Sequence, residues 1–409
     1  MKNRQNVCSK LWTDVNIDLC NPKIRHCCKQ TTYKTSIEEL KSLGPNFFEK
    51  YQLNVDNKNK MLFEKELPDS CYFCKSAGDN SIMNVWNFWS DELVNNKRHL
   101  LLEETHTNYI ELDIGNSCNM ACVYCGPWSS TTWIKELNIP KKSNVINHEW
   151  KTEVFKNLKE WLKTFDTQSK ITFNLLGGEP LMLTDTYDIV EELSDMCVGF
   201  KTKPVMMLTT NLNLKKTLID KLLKTISNTK NVFEWIIAVS IEDIGERAEY
   251  VRYHLDWKLF DSNLKTIKDH VDSIYLTTTF TLFSLPNFVE FLDWSFETLG
   301  PNEYLKSWRY SLNNVQDGFS DVAYLLPEQD NLDNILSHYK RMLNTYNIEW
   351  DRFSDEFVAH IKNMSGRIGL LEPTAEFFNY WTAMGNRRGL DYFKIPSLNY
   401  IRSRKGNTQ

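Results

Sequence analysis

From about residue 106 to residue 312, short apolar runs alternate with amphipathic helical stretches, and this alternation constrains the fold more than any other feature of the chain. The runs lie at 109–114, 171–176, 205–210, 235–241, 274–282 and 304–312, and helical periods follow at 185–196, 215–226, 256–269 and 287–298. Apolar runs separated by helices predict parallel strands, because parallel neighbours need a crossover that a helix supplies. Six such units fall short of the eight that close a full barrel. The expected class is therefore α/β, a partial (β/α)6 TIM-like barrel spanning 101–312, with its chemistry on the loops that follow the strands.

The flanks read differently. Residues 1–100 predict a small irregular metal-cluster module, with a strand over 11–19, a turn at Asn21-Pro22 and a returning strand over 24–28. A helix over 36–43 follows, with Ser36 as its N-cap and Gly44-Pro45 as its stop, then a polar stretch at 54–60 and a helix over 86–97. Residues 313–409 are helical by period at 328–346, 353–363 and 374–387, a C-terminal extension expected to pack back on the barrel through Trp381, Arg387, Arg388 and Tyr392.

Charge and hydropathy narrow the partners. Acidic residues exceed Lys and Arg by 53 to 48, a net charge of -5, so no global positive field draws in nucleic acid or anionic membrane. No apolar run approaches the ~20 residues of a membrane span. No apolar stretch follows Met1-Lys2-Asn3-Arg4-Gln5 as in a secretory signal, so a cytoplasmic protein without a membrane partner is expected. Ten cysteines in a reducing compartment then point to metal rather than to disulfides. Cys8, Cys20, Cys27, Cys28, Cys71 and Cys74 lie in the first module, Cys118, Cys122 and Cys125 in one loop after the first barrel strand, and Cys197 alone on a helix, as a buried thiol. Two groups suggest two centres.

Cys118-x3-Cys122-x2-Cys125 supplies three soft thiolates from one loop. A structural zinc site wants four ligands, whereas three leave one iron of a cubane open to a cofactor or substrate. The run Cys118-Asn119-Met120-Ala121-Cys122-Val123-Tyr124-Cys125, directly after a strand, resembles the motif of the radical S-adenosylmethionine (SAM) superfamily, including the aromatic Tyr124 before the third cysteine. Gly177-Gly178-Glu179-Pro180 after the second strand matches the segment that binds the α-amino group of SAM in that superfamily, with Glu179 as the ammonium partner. Asn211, Ser240 and Arg252 follow the next strands where similar proteins place cofactor contacts, Arg252 for the cofactor carboxylate. The family usually has Asp where this chain has Glu242.

The resemblance implies a 4Fe–4S cluster that reductively cleaves bound SAM to a 5′-deoxyadenosyl radical, which removes hydrogen from a substrate: a small molecule, a peptide or a nucleotide. It also implies an electron donor such as a flavodoxin or ferredoxin. Cys8, Cys27, Cys71 and Cys74 resemble a twitch/SPASM-like auxiliary cluster module placed ahead of the barrel, with Cys28 in reserve for Cys27. There the resemblance implies an auxiliary Fe–S cluster that takes an electron, giving an oxidoreductase-like outcome, or orients the substrate. Zinc fits the same spacing. The competing reading is a non-catalytic metal-binding scaffold, zinc or Fe–S, on a degenerate barrel.

Overall fold

The apolar runs form strands, some alternating buried and half-buried residues, as in Tyr109–Asp113 and Ser273–Phe280, and others buried almost throughout, as in Thr172–Leu176 and Glu234–Ser240. They are β1 (Asp14–Asp18), β2 (Lys23–Arg25), β3 (Tyr33–Lys34), β4 (Tyr109–Asp113), β5 (Ala121–Cys122), β6 (Thr172–Leu176), β7 (Val205–Thr210), β8 (Glu234–Ser240), β9 (Arg252–Tyr253), β10 (Ser273–Phe280) and β11 (Ser307–Asn314). The structure is a computed structural model and describes residues 8, 10–27, 30–64, 66–71, 107–140, 144–300, 305, 307–315 and 318–405. The helix expected over 86–97, together with Cys28 and Cys74, lies outside the described residues.

All six expected barrel strands form, as β4, β6, β7, β8, β10 and β11. They pair in parallel within two sets, β4 with β6 and β6 with β7, then β8 with β10 and β10 with β11. Helices at Thr184–Cys197, Trp257–Ile267 and Phe288–Leu299 make the crossovers within these sets, and the helix Lys216–Thr229 follows β7 in the chain. The α/β class with mainly parallel strands follows.

The chain divides into two compact units. The first comprises Met1–Asn116, Ser143–Leu208 and Asn228–Glu234. Here the N-terminal segment adds strands to the parallel set. β1 pairs in parallel with β4, from Asp14 against Tyr109 to Asp18 against Asp113, and β2 and β3 follow antiparallel. Val15 and Ile17 are fully buried, and the inward polar Asn16 is satisfied by Glu111 Oε1 at 2.5 Å and by Arg25 Nε at 2.9 Å. Buried polar groups persist only with such partners. The helix His148–Leu162 is N-capped by Asn147 and buries Trp150, Val154, Leu158 and Trp161 along one face. Against that face sit Phe47 and Phe48, 6.0 Å from Trp150 and 5.9 Å from Trp161 respectively.

Two expectations in this segment change. The strand over 11–19 begins as a helical turn, Lys10–Thr13, and becomes β1 only at Asp14. The polar stretch 54–60 is helical, Gln52–Asn59, and runs on into a wide turn at Lys60–Glu64 that buries Met61 and Leu62 against Leu11 and Trp12. Tertiary burial of four apolar side chains overrides weak local propensity there.

The second unit comprises Ser117–Lys142, Thr209–Ser227 and Trp235–Gln409. Its core is aromatic. Tyr339 stacks on Phe357 at 4.0 Å, Phe357 lies 5.4 Å from Tyr310 on β11, and Phe280 on β10 meets Phe288 at 4.8 Å. Such offset and edge-on pairs add to plain burial. The C-terminal helices Leu332–Thr345 and Arg352–Ser365 are thereby tied to the strands. Among the described residues no helix is long and apolar enough to cross a membrane.

Candidate active site

The cysteine loop is shaped by the residues that follow it. Ser130 caps the helix Thr131–Glu136 by accepting from the N–H groups of Thr132 and Trp133, and its hydroxyl donates to the Met120 carbonyl at 2.5 Å. Thr131 and Thr132 donate to the Cys118 carbonyl at 3.2 and 2.7 Å, and the Trp133 indole donates to the Cys122 carbonyl at 2.9 Å. The Cys125 N–H donates to the same carbonyl at 3.0 Å. These bonds hold the loop by its backbone, and the Cys125 thiol lies 3.8 Å from the Gly126 carbonyl.

Cys122 is buried, while Cys118 and Cys125 are half-buried. Burial raises the thiols of Cys122 and Cys125, the latter to about 12, and Arg252 opposes the rise at both. N–H groups approach two sulfurs: Asn211 Nδ2 lies 3.9 Å from Cys118 Sγ, and Arg252 Nη1 lies 3.9 Å from Cys122 Sγ. Asn211 is itself placed by its bonds to Asn119 Oδ1 at 2.8 Å and from the Asn213 N–H at 2.9 Å.

Arg252 stands opposite Cys122 in the β5–β9 pair. Its Nε and Nη2 donate to Glu242 Oε2 at 3.1 and 2.5 Å, and the Tyr124 hydroxyl donates to the same oxygen at 3.1 Å. Burial raises the Glu242 carboxyl and the guanidinium pulls it back, while Arg252 keeps its proton. Ser240 closes β8 in register with Thr277.

Asp243, next along the chain, is fully buried, and its Oδ1 accepts from Arg247 Nε at 3.0 Å and from the Ile244 N–H at 2.9 Å. Burial pushes its pKa to about 7, and its Oδ2 has no partner among the described residues. The folded state thus binds a proton more tightly than the unfolded chain, and stability is expected to fall as pH rises from about 4 through 7. Asp243→Asn should flatten that decline by a few kcal/mol, read from urea midpoints across this range; a parallel profile would show that Asp243 does not drive it.

In the first unit, Gly115 and Gly177 cross at the ends of β4 and β6. A Cβ on Gly177 would stand 2.6 Å from the Gly115 carbonyl oxygen, and the Gly178 N–H donates to that oxygen at 2.7 Å. The Gly177 φ is +157°. Gly177→Ala should therefore cost about 2 kcal/mol, measured as a lower unfolding midpoint, because backbone cannot yield as a flexible side chain would. Glu179 is buried, and its Oε1 accepts from the Leu181 N–H at 3.2 Å, which caps the short turn Pro180–Met182.

The first unit also holds Cys8, Cys27 and Cys71. Burial raises the Cys8 thiol to about 12, with further contributions from Cys27 and Cys71. Cys8 and Cys71 pack against the Leu11, Trp12, Met61 and Leu62 cluster. Tyr51, whose pKa is raised chiefly by burial and also by Cys27 and Cys71, stacks on His26 at 5.1 Å. His26 Nδ1 faces the Asp14 carbonyl, which only accepts, so the ring proton sits there and Nε2 is a buried lone pair without a partner among the described residues. The Tyr51 hydroxyl and Asn57 Nδ2 are likewise buried and unpartnered among the described residues. Polar atoms left unfilled beside cysteines suit a bound group there.

Among the described residues no three His, Cys, Asp or Glu side chains gather about the place of a single ion. A cubane spreads its thiolates over separate irons, and the donor set of Cys118, Cys122 and Cys125, all sulfur and met by N–H groups, fits such a cluster.

Residues 112–294 match the family model described as the Radical SAM superfamily. The chain carries a radical SAM superfamily domain. Cys118, Cys122, Cys125, the Gly177–Pro180 turn, Asn211, Ser240 and Arg252 fall inside it; Cys8, Cys27, Cys71, Cys74 and the C-terminal helices fall outside. No curated protein matches the chain. For the radical SAM domain, sequence reasoning passed over Ser130, Thr131, Thr132 and Trp133, although Ser before a helical run is a legible N-cap signal. It also left Glu242 without a role, since only the fold brings that carboxylate to Arg252.

Proposed function

We propose that the protein is a radical SAM enzyme that cleaves SAM reductively and abstracts hydrogen from a small-molecule, peptide or nucleotide substrate, with a flavodoxin or ferredoxin as electron donor. The observation that carries this reading is the three-cysteine loop of the radical SAM domain, braced by its backbone and met at two sulfurs by N–H donors. When bound, a 4Fe–4S cluster and SAM supply the one-electron cleavage of a C–S bond. The chain's residues hold and orient these groups. Cys118, Cys122 and Cys125 ligate the cluster; Tyr124, Gly177, Gly178, Glu179, Pro180, Asn211, Ser240 and Arg252 serve the cofactor, with Glu179 receiving its ammonium group. Arg252 is engaged by Glu242, so a cofactor carboxylate would meet an ion pair rather than a lone guanidinium.

The same reading assigns Cys8, Cys27, Cys71 and Cys74 to an auxiliary Fe–S cluster and places the protein in the cytoplasm. The packing of Cys8 and Cys71 against one apolar cluster, and the polar atoms of His26, Tyr51 and Asn57 left unfilled among the described residues, support the auxiliary centre. Anaerobic purification followed by reduction with SAM tests both parts. Iron, sulfide and 5′-deoxyadenosine are expected. A colourless protein containing only zinc sinks the enzyme reading, and zinc confined to the N-terminal cysteines overturns the auxiliary cluster alone.

A further inference from the structure

The buried ion pair beside Cys122 has an arrangement that stability does not explain. Arg252 and Glu242 side chains are 5% and 0% exposed, and Glu242 Oε1 is buried with no partner among the described residues. Burying two charges, with one acceptor left unfilled, gains little over apolar packing. What the pair does achieve is orientation. The β5–β9 ladder sets Arg252 opposite Cys122, and the Val123 N–H bonded to the Val251 carbonyl at 2.9 Å extends that register. Two nitrogens of the rigid guanidinium fork are held on one oxygen of Glu242, which directs the third, Nη1, to the Cys122 sulfur. Tyr124 ties the same carboxylate oxygen to the cysteine loop, and the guanidinium lies 5.6 Å from its ring.

We infer that Glu242 is a positioning residue that holds Arg252 against the Cys122 sulfur, and that the pair sets the reduction potential of the cluster bound there. This rests on the reading of Cys118, Cys122 and Cys125 as cluster ligands. A cation with an N–H at a ligand sulfur favours the electron-rich, reduced cluster and raises its potential, and an adjacent carboxylate lowers it. In a dry site both effects are felt strongly. The pair therefore delivers a hydrogen bond to the sulfur with little net charge.

The test is a redox titration of the anaerobically reconstituted full chain, followed by electron paramagnetic resonance. Glu242→Gln leaves the Arg252 charge uncompensated and should shift the potential upward. Arg252→Gln removes cation and donor and should shift it downward. Glu242→Asp keeps the charge on a shorter arm, guards against loss of fold, and should move the potential in the direction of Glu242→Gln by less. Unchanged potentials, or shifts of the same sign in Glu242→Gln and Arg252→Gln, with iron retained, overturn this inference alone. Wild-type protein without iron and sulfide overturns it together with the reading beneath it.

Discussion

Replacing Arg388 with alanine is expected to destabilise the protein by about 3 kcal/mol, because it removes one side of a buried charge network at the cysteine loop. Arg388 Nε donates to both oxygens of Glu136, at 3.0 and 3.1 Å, and Nη2 donates to Glu136 Oε2 at 2.9 Å. The same Nη2 donates to the carbonyl of Ala121, the residue before Cys122, at 2.9 Å, and Nη1 donates to the Tyr392 hydroxyl at 2.8 Å. The guanidinium lies 4.6 Å from the Trp133 ring and 4.5 Å from that of Tyr253. Arg387, which also reaches Glu136 at 3.1 Å but is more exposed, softens the loss without replacing these bonds. Arg388→Lys keeps the charge but not the fork, so an intermediate cost is expected. Urea unfolding measures both; an Arg388→Ala midpoint at the wild-type value would show that the C-terminal helix does not secure the loop.

Cys122→Ser should abolish 5′-deoxyadenosine formation and strip iron from the radical SAM site while leaving the far-ultraviolet circular dichroism of the helices in place. Cys122 is the buried member of the triad, and its carbonyl accepts from the Trp133 indole, so the backbone of the loop has anchors independent of the sulfur. A hydroxyl is a poor ligand for iron–sulfur clusters. Cys197→Ala is the matched control. Cys197 ends the helix Thr184–Cys197 and is buried, with its thiol pushed up to about 12 by burial. Its loss should cost about 1 kcal/mol of packing and leave iron and SAM cleavage unchanged. Full activity in Cys122→Ser would remove the triad from the chemistry.

Much of the fold was legible because periodicity is a local property. The strand β7 and the helices after β6, β7, β8 and β10 stand within a few residues of where apolar spacing put them. Ser36 caps the helix Ile37–Leu43 as its position before an apolar period predicts, with its hydroxyl accepting from the Glu39 N–H at 3.1 Å. The pairing of β1 with β4 was not legible. Those strands lie far apart in the chain, and no local pattern says which edge a five-residue strand will join. The helix through Gln52–Asn59 escaped for a related reason, since its residues apart from Leu53 and Val55 are polar and it runs on into Met61 and Leu62, which pack against Leu11 and Trp12.

The division at the site follows the same physics. Sequence alone determined which atoms are available for chemistry: three thiols at fixed spacing on one loop, a paired-glycine turn and a set of polar residues at strand ends. Ligand type and spacing are written in covalent order. Tertiary structure alone decided how those atoms are held. It placed Arg252 in register with Cys122, brought Glu242 to its guanidinium, and closed Arg388 over the loop backbone from the far end of the chain. The first and third join residues more than a hundred positions apart and the second bridges a helix, and their energies depend on burial and geometry that exist only once the strands have paired.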